Sequence, residues 1–179
     1  MIAVLYCTSN SIYKRIAVCD AYDEKRDART FVGSCPVIAH PPCRLFSKLR
    51  KFSTAPVDEK KLAHHALVAV RMNGGVLEHP AFSKLWQEAE LPIPGQGADK
   101  YGGWSMSIDQ SWFGHECPKN TWLYIVGVDR NNIPDIHLPC AGPTKTMGMG
   151  SRRELSKTAR NKTPARFAHW LVQLALRVI

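Results

Sequence analysis

A cysteine directly behind two prolines is the feature of this sequence with the clearest chemical potential. In His40-Pro41-Pro42-Cys43-Arg44-Leu45-Phe46-Ser47, consecutive prolines fix the backbone and present the thiol just past an apolar run. A cysteine reacts as its thiolate, which nearby positive charge favours, and Arg44, Lys48, Arg50 and Lys51 follow closely. The alternative is a buried cysteine acting as a small hydrophobe, the common fate of a free thiol. The second feature is Gly75-Val76-Leu77-Glu78-His79-Pro80. A carboxylate at the end of an apolar strand is costly unless it is paired or used. Its alternative is a side chain that reaches solvent or pairs with Lys or Arg.

Two histidine–cysteine pairs, His40 with Cys43 and His115 with Cys117, have donors suited to zinc, with His79 or Cys35 near in sequence. The chain has no Cys-x-x-Cys pair, and no metal site is assigned. Trp104 and Trp112 flank a glycine-rich stretch and read as packing residues, with base stacking as the alternative. His64 and His65 fall inside a helical pattern and read as surface or core residues.

These residues need elements to position them. Residues 2–7 read as a buried strand, 16–19 as a second strand ending at Asp20, and 35–39 as a third, stopped by Pro41 and Pro42. Residues 58–72 carry apolar positions at helical spacing, with Asp58 as the start signal and Asn73-Gly74-Gly75 as the stop. Residues 75–79 read as a strand, 81–89 as a short helix, 92–103 as a loop and 121–128 as a strand. A basic loop spans about 141–163, and a helix opened by Pro164 covers 164–178. Short apolar strands alternating with helices predict a single α/β domain over 1–179 with a largely parallel sheet. Ligands of such sheets bind beyond the carboxyl ends of the strands. That rule puts Asp20, the His40–Cys43 turn and the Glu78–Pro80 turn on one rim.

Composition narrows the partners. An apolar share of 45% argues against disorder. With 24 Lys and Arg against 15 Asp and Glu, the formal charge is +9, which favours phosphate chains through counterion release. No apolar run approaches the length of a membrane span and no signal peptide is evident, so a cytoplasmic protein with no membrane partner is expected. The six cysteines then read as reduced thiols.

The chain resembles DNA cytosine-5 methyltransferases in three ordered segments covering roughly residues 35–128. Pro41-Pro42-Cys43-Arg44-Leu45-Phe46-Ser47 is similar to that family's Pro-Pro-Cys-Gln nucleophile motif with its trailing Phe-Ser. Glu78-His79-Pro80 is similar to its Glu-Asn-Val or Glu-Asn-Pro strand end. The stretch from Lys119 to Gly127 is similar to a divergent form of its Gln-x-Arg-x-Arg segment and following strand, and looks closest to phage-encoded forms. The resemblance implies a compact Rossmann-like methyltransferase core. It implies Cys43 as the nucleophile on C6 of cytosine, Glu78 as the hydrogen-bonding partner of the ring, and Lys119 as a base or phosphate contact. It also implies S-adenosylmethionine as cofactor, with Tyr6, Thr8, Asp20, Asp23 and Pro41 in the matching places. DNA is the expected partner, with RNA or a nucleotide as alternatives, held through Arg44, Lys48, Arg50, Arg152 and Arg153. The sequence departs from the family in having no glycine in the Leu5–Ser11 loop, a short interval before the nucleophile, and no large target-recognition region. A degenerate relative that grips nucleic acid, or a phage-type base-modifying enzyme using another donor, are the competing readings.

Overall fold

The computed structural model describes residues 1–48, 50–140, 142–145, 159 and 161–179. Six strands form one sheet in the order β2-β1-β3-β4-β6-β5. They are β1 (Ile2–Leu5), β2 (Cys19–Ala21), β3 (Val37–Ala39), β4 (Gly75–Pro80), β5 (Trp104–Asp109) and β6 (Asn120–Val126). The pairs β2–β1, β1–β3 and β3–β4 are parallel. Strand β6 is antiparallel to both β4 and β5, so it alone runs against the rest. The expected α/β class and largely parallel sheet are therefore present.

Side chains alternate across the strands, and each face is covered by a helix. Ile2, Val4, Ile38, Val76, Leu123 and Ile125 pack on one face with Phe167, Trp170, Leu171 and Leu174 of the last helix, Ala165–Ala175. Ala3, Leu5, Val37, Ala39, Leu77 and Tyr124 pack on the other with Ala63, Ala66, Leu67 and Val70 of α1 (Lys60–Asn73). The short helix α2 (Lys84–Glu88) adds Leu85 and Trp86 to this second core; the last helix is α3.

Several boundaries differ from the sequence reading, for local reasons. Residues 12–15 form a 3₁₀ turn capped by Ser11, so the second strand begins at Cys19 rather than residue 16. Asp20 lies in the middle of that strand, and Asp23 follows its end. Asp58 does not cap α1; it pairs with Lys61 at 2.7 Å inside a preceding 3₁₀ turn. Ser83 caps α2, accepting from the Leu85 N–H. Strand β5 lies where no periodic signal marks a strand. Much of the 141–163 loop, with Arg152 and Arg153, lies outside the described residues. Among the described residues no helix is long and apolar enough to cross a membrane.

The direction of winding matters for function. From β1 the chain moves out to β2, then returns past β1 to β3 and on to β4. The crevice of such a sheet opens at the carboxyl ends of the strands flanking the reversal, here β1 and β3. Tyr6-Cys7 and His40 stand there, and the His40 N–H donates to Leu5 O at 3.0 Å.

Gly75 lets α1 turn directly into β4. Its φ is 120°, and a Cβ there would lie 2.0 Å from Val37 O and 2.7 Å from Val37 N, both backbone atoms of the paired strand. Neither atom can move without breaking the β3–β4 ladder. Gly75→Ala should therefore destabilise the fold by about 3 kcal/mol or more, combining overpacking with left-handed strain. Urea unfolding of the two proteins measures this; a loss under about 1 kcal/mol contradicts the close-approach account.

Candidate functional site

Glu78 organises the rim. It is the fourth residue of β4, and strand alternation turns it to the α3 face together with His40, which follows β3. Its Oε2 is 2.9 Å from His40 Nδ1, and its Oε1 accepts from Gln110 Nε2 at 3.1 Å. The opposite ring nitrogen of His40 is 3.1 Å from the Tyr13 hydroxyl, which is buried. An ionised carboxylate only accepts, so His40 Nδ1 carries a proton toward Glu78; in the neutral ring the Tyr13 O–H donates to Nε2. Burial would raise the Glu78 carboxyl, but the His40 hydrogen bond and the charge of Lys119 outweigh it and hold the group down at about 2. Glu78 is thus an anion at neutral pH.

Gln110 fixes this arrangement from the β5–β6 connection. Thr121 Oγ1 donates to Lys119 O at 3.0 Å, so it accepts from Gln110 Nε2, also at 3.0 Å. Both acceptors demand the amide nitrogen, which sets the amide orientation and leaves the buried Gln110 Oε1 without a hydrogen-bond partner among the described residues.

Cys43 follows β3 through the Pro41-Pro42 turn. The Pro-Pro turn leads into a bend in which Cys43 O accepts from the Phe46 and Ser47 N–H groups at 3.0 and 2.9 Å. The thiol is half-buried. Burial raises its pKa, Glu78 raises it further, and Lys119 works against both. The sequence-predicted trio of Cys43, Glu78 and Lys119 therefore shares one electrostatic neighbourhood, assembled from three separate parts of the chain. The origin of the field differs from expectation. Arg44 is bound by Glu59, and Lys48 lies over the Phe82 ring at 5.1 Å, so neither is among the groups that tune the thiol.

His79 braces the cysteine turn from beneath. It is 1% exposed and packs at a tilt against Phe46, ring centroids 5.6 Å apart. Ser83 Oγ accepts from Leu85 N and lies 2.8 Å from His79 Nδ1. The carbonyls of Pro41 and Pro42 are acceptors facing the ring. Among the described residues Nε2 reaches no partner at hydrogen-bond geometry. Burial lowers the imidazole to about 4, against the pull of Glu78 and those carbonyls.

The residues expected to hold S-adenosylmethionine are engaged elsewhere. Asp20 binds Arg26 through both oxygens. Asp23 Oδ1 accepts the Lys25 and Arg26 N–H groups at 2.9 and 3.0 Å, and its Oδ2 is bound by Lys14. The Tyr6 hydroxyl bonds His65 Nδ1 at 2.9 Å, the Thr8 hydroxyl bonds Asn10, and Pro41 is buried. Neither Asp20 nor Asp23 is free for a ribose diol, and no glycine stands in the Leu5–Ser11 loop after β1. These residues do not fit the cofactor. Among the described residues no group of three His, Cys, Asp or Glu side chains is placed to hold a metal ion. Arg50 is half-buried, its guanidinium donating to Ser47 O at 3.4 Å. Trp104 is buried and donates to Val128 O, and Trp112 packs against the core.

Sequence reasoning passed over Tyr13 and Gln110, and weighed His40 only as a metal ligand. Gln110 directly follows an Asp that caps the next turn, a signal of local structure with no hint of its reach to Glu78. Compared with protein families, curated proteins and solved structures, the chain finds no match.

Two measurements test the site's electrostatics. An unfolded histidine titrates near 6.5 and His79 in the fold near 4. Between those values the unfolded chain binds a proton that the native one refuses, so stability falls as pH drops through that window. Wild type should lose about 2 kcal/mol from this group between roughly pH 7 and pH 5, a loss absent in His79→Gln by urea unfolding. For Cys43, iodoacetamide labelling followed by mass spectrometry should be faster in Glu78→Gln and slower in Lys119→Ala, since these remove opposite influences on the thiol. Equal rates in all three proteins would separate Cys43 from the pair.

Proposed function

We propose that this chain acts on a pyrimidine base in nucleic acid, cytosine in DNA first, at the Cys43–Glu78 rim. One observation carries the reading: a half-buried thiol just past β3 and an ionised carboxylate near the end of the adjoining β4 influence each other electrostatically, and a lysine from a third segment acts on both. The winding about β1 supports a Rossmann-like core. The charge of +9 supports a polyanionic partner. A target base has to leave a duplex stack to reach such a thiol, or come from a single strand.

The chemistry follows from the groups. Glu78, as an anion, accepts an N–H of the exocyclic amine of cytosine. Cys43 adds to C6: the Sγ–C6 bond forms, the C5–C6 π pair moves toward C5, and C5 takes a proton from water in place of the one sulfur releases. This addition needs no donor. Its reversal returns cytosine with its C5 hydrogen exchanged. Transfer of a methyl group from S-adenosylmethionine is not part of the proposal, because the residues read for that cofactor are bound to one another.

A second reading has its own support. The engaged Asp20 and Asp23 and the raised Cys43 thiol suit a protein that grips a base without transferring anything to it. Exchange separates the two. Single-stranded oligodeoxycytidine incubated with the protein in D₂O should gain deuterium at C5, read by mass spectrometry of the nucleosides. Cys43→Ala should abolish the gain, and Glu78→Gln should reduce it by at least about 100-fold, the scale of losing one positioned polar group. Binding without exchange in wild type leaves the binder reading and removes the enzyme.

A further inference from the structure

We infer that Phe82, backed by Trp122, is a stacking platform for a nucleobase beside the target; this rests on the nucleic-acid reading above. Phe82 follows the Glu78–Pro80 strand end by two residues and is 63% exposed. Its φ is 62°, a left-handed conformation that an L-residue with a bulky side chain seldom adopts. The turn is held by backbone bonds, Ala81 N to Asn120 O at 3.0 Å and Ser83 N to Pro80 O at 3.1 Å. The fold therefore keeps a strained residue in place in order to hold an aromatic ring in water. A core-packing role cannot account for that, since the ring stays exposed. An observed outlier of this kind is a pointer to function.

The surroundings specify the occupant. The Phe82 and Trp122 rings lie 4.9 Å apart at 52°, and Trp86 meets Trp122 edge-on at 5.6 Å. Beside them a hollow of about 400 Å³ is lined by Trp86, Leu91, Ile93 and Trp122. Glu90, another non-glycine residue with positive φ, stands on its edge. Lys48 reaches over the Phe82 ring at 5.1 Å and forms no ion pair among the described residues. A flat π-face with an adjacent ammonium matches one ligand chemistry well: a planar base attached to a phosphate. The platform is also tied to the reactive turn. Lys84 N donates to Phe46 O at 2.9 Å, joining the residues after Phe82 to the bend after Cys43. A base stacked here would be a neighbour of the one at Glu78 on the same strand.

The test uses short single-stranded oligodeoxycytidine carrying one 2-aminopurine, whose fluorescence is quenched by stacking. Wild type should bind with salt-dependent affinity and quench the probe. Phe82→Leu keeps apolar bulk without a π-face and should weaken binding roughly 5- to 150-fold, the range for losing one base stack. Phe82→Trp should bind and quench like wild type. Phe82→Gly should lose the same affinity while being at least as stable to urea, because glycine relieves the left-handed strain. If Phe82→Leu and Phe82→Gly bind as wild type does, the platform is overturned and nucleic-acid binding stands. If wild type binds no oligonucleotide at low salt, the platform falls together with the reading it rests on.

Discussion

Everything on the rim depends on keeping one carboxylate ionised where little water reaches it. Glu78 sits at 13% side-chain exposure, and desolvation alone would favour its neutral form. The fold answers with donors from three directions: His40 after β3, Gln110 after β5, and the charge of Lys119 before β6. Each donor is itself oriented by a further group, His40 by Tyr13 and Gln110 by Thr121. Such a network is stabilising only when complete, since a buried anion that loses a donor keeps its desolvation cost. The rim therefore constrains where β1, β3, β4 and the β5–β6 hairpin can sit relative to one another.

The parallel half of the sheet was legible in the sequence because its strands are apolar runs with hard stops. Val37–Ala39 ends before Pro41-Pro42, and α1 ends at the glycine pair that begins β4. Strand β5 was not legible. Its two serines share one face in the pattern of a half-polar strand, yet Ser105 is 3% exposed and accepts from Trp86 Nε1 at 2.9 Å. A buried serine with a tryptophan partner looks like loop composition until the partner is known. The second strand shifted as well: a Ser11-capped turn at Ile12–Arg15 runs into Ile16, and the strand starts only at Cys19.

The site was half legible. Cys43 and Glu78 carry local signals, a rigid turn and a charge at an apolar strand end. Tyr13 and Gln110 carry none, because their roles exist only across 27 residues to His40 and 32 to Glu78. Three of the charged candidates illustrate the opposite limit of a local inference. Asp20, Asp23 and Arg44 have the right charges at the right places, but nearby Arg26, Lys14 and Glu59 satisfy them first. Sequence shows which charges are present; only geometry shows which of them are already neutralised.

The charge around Cys43 links base recognition to thiol chemistry. The ionised Glu78 beside it makes thiolate formation harder, as burial also does, and Lys119 only partly offsets them. A base that donates N–H groups to Glu78 spreads that negative charge into hydrogen bonds and weakens its hold on the thiol. On the proposed reading the sulfur becomes more acidic when a base is seated, and linkage requires that the thiolate in turn favour a seated base. The same carboxylate that holds the rim together would then keep the thiol protonated, and so unreactive toward other electrophiles, until a base with an N–H to donate arrives.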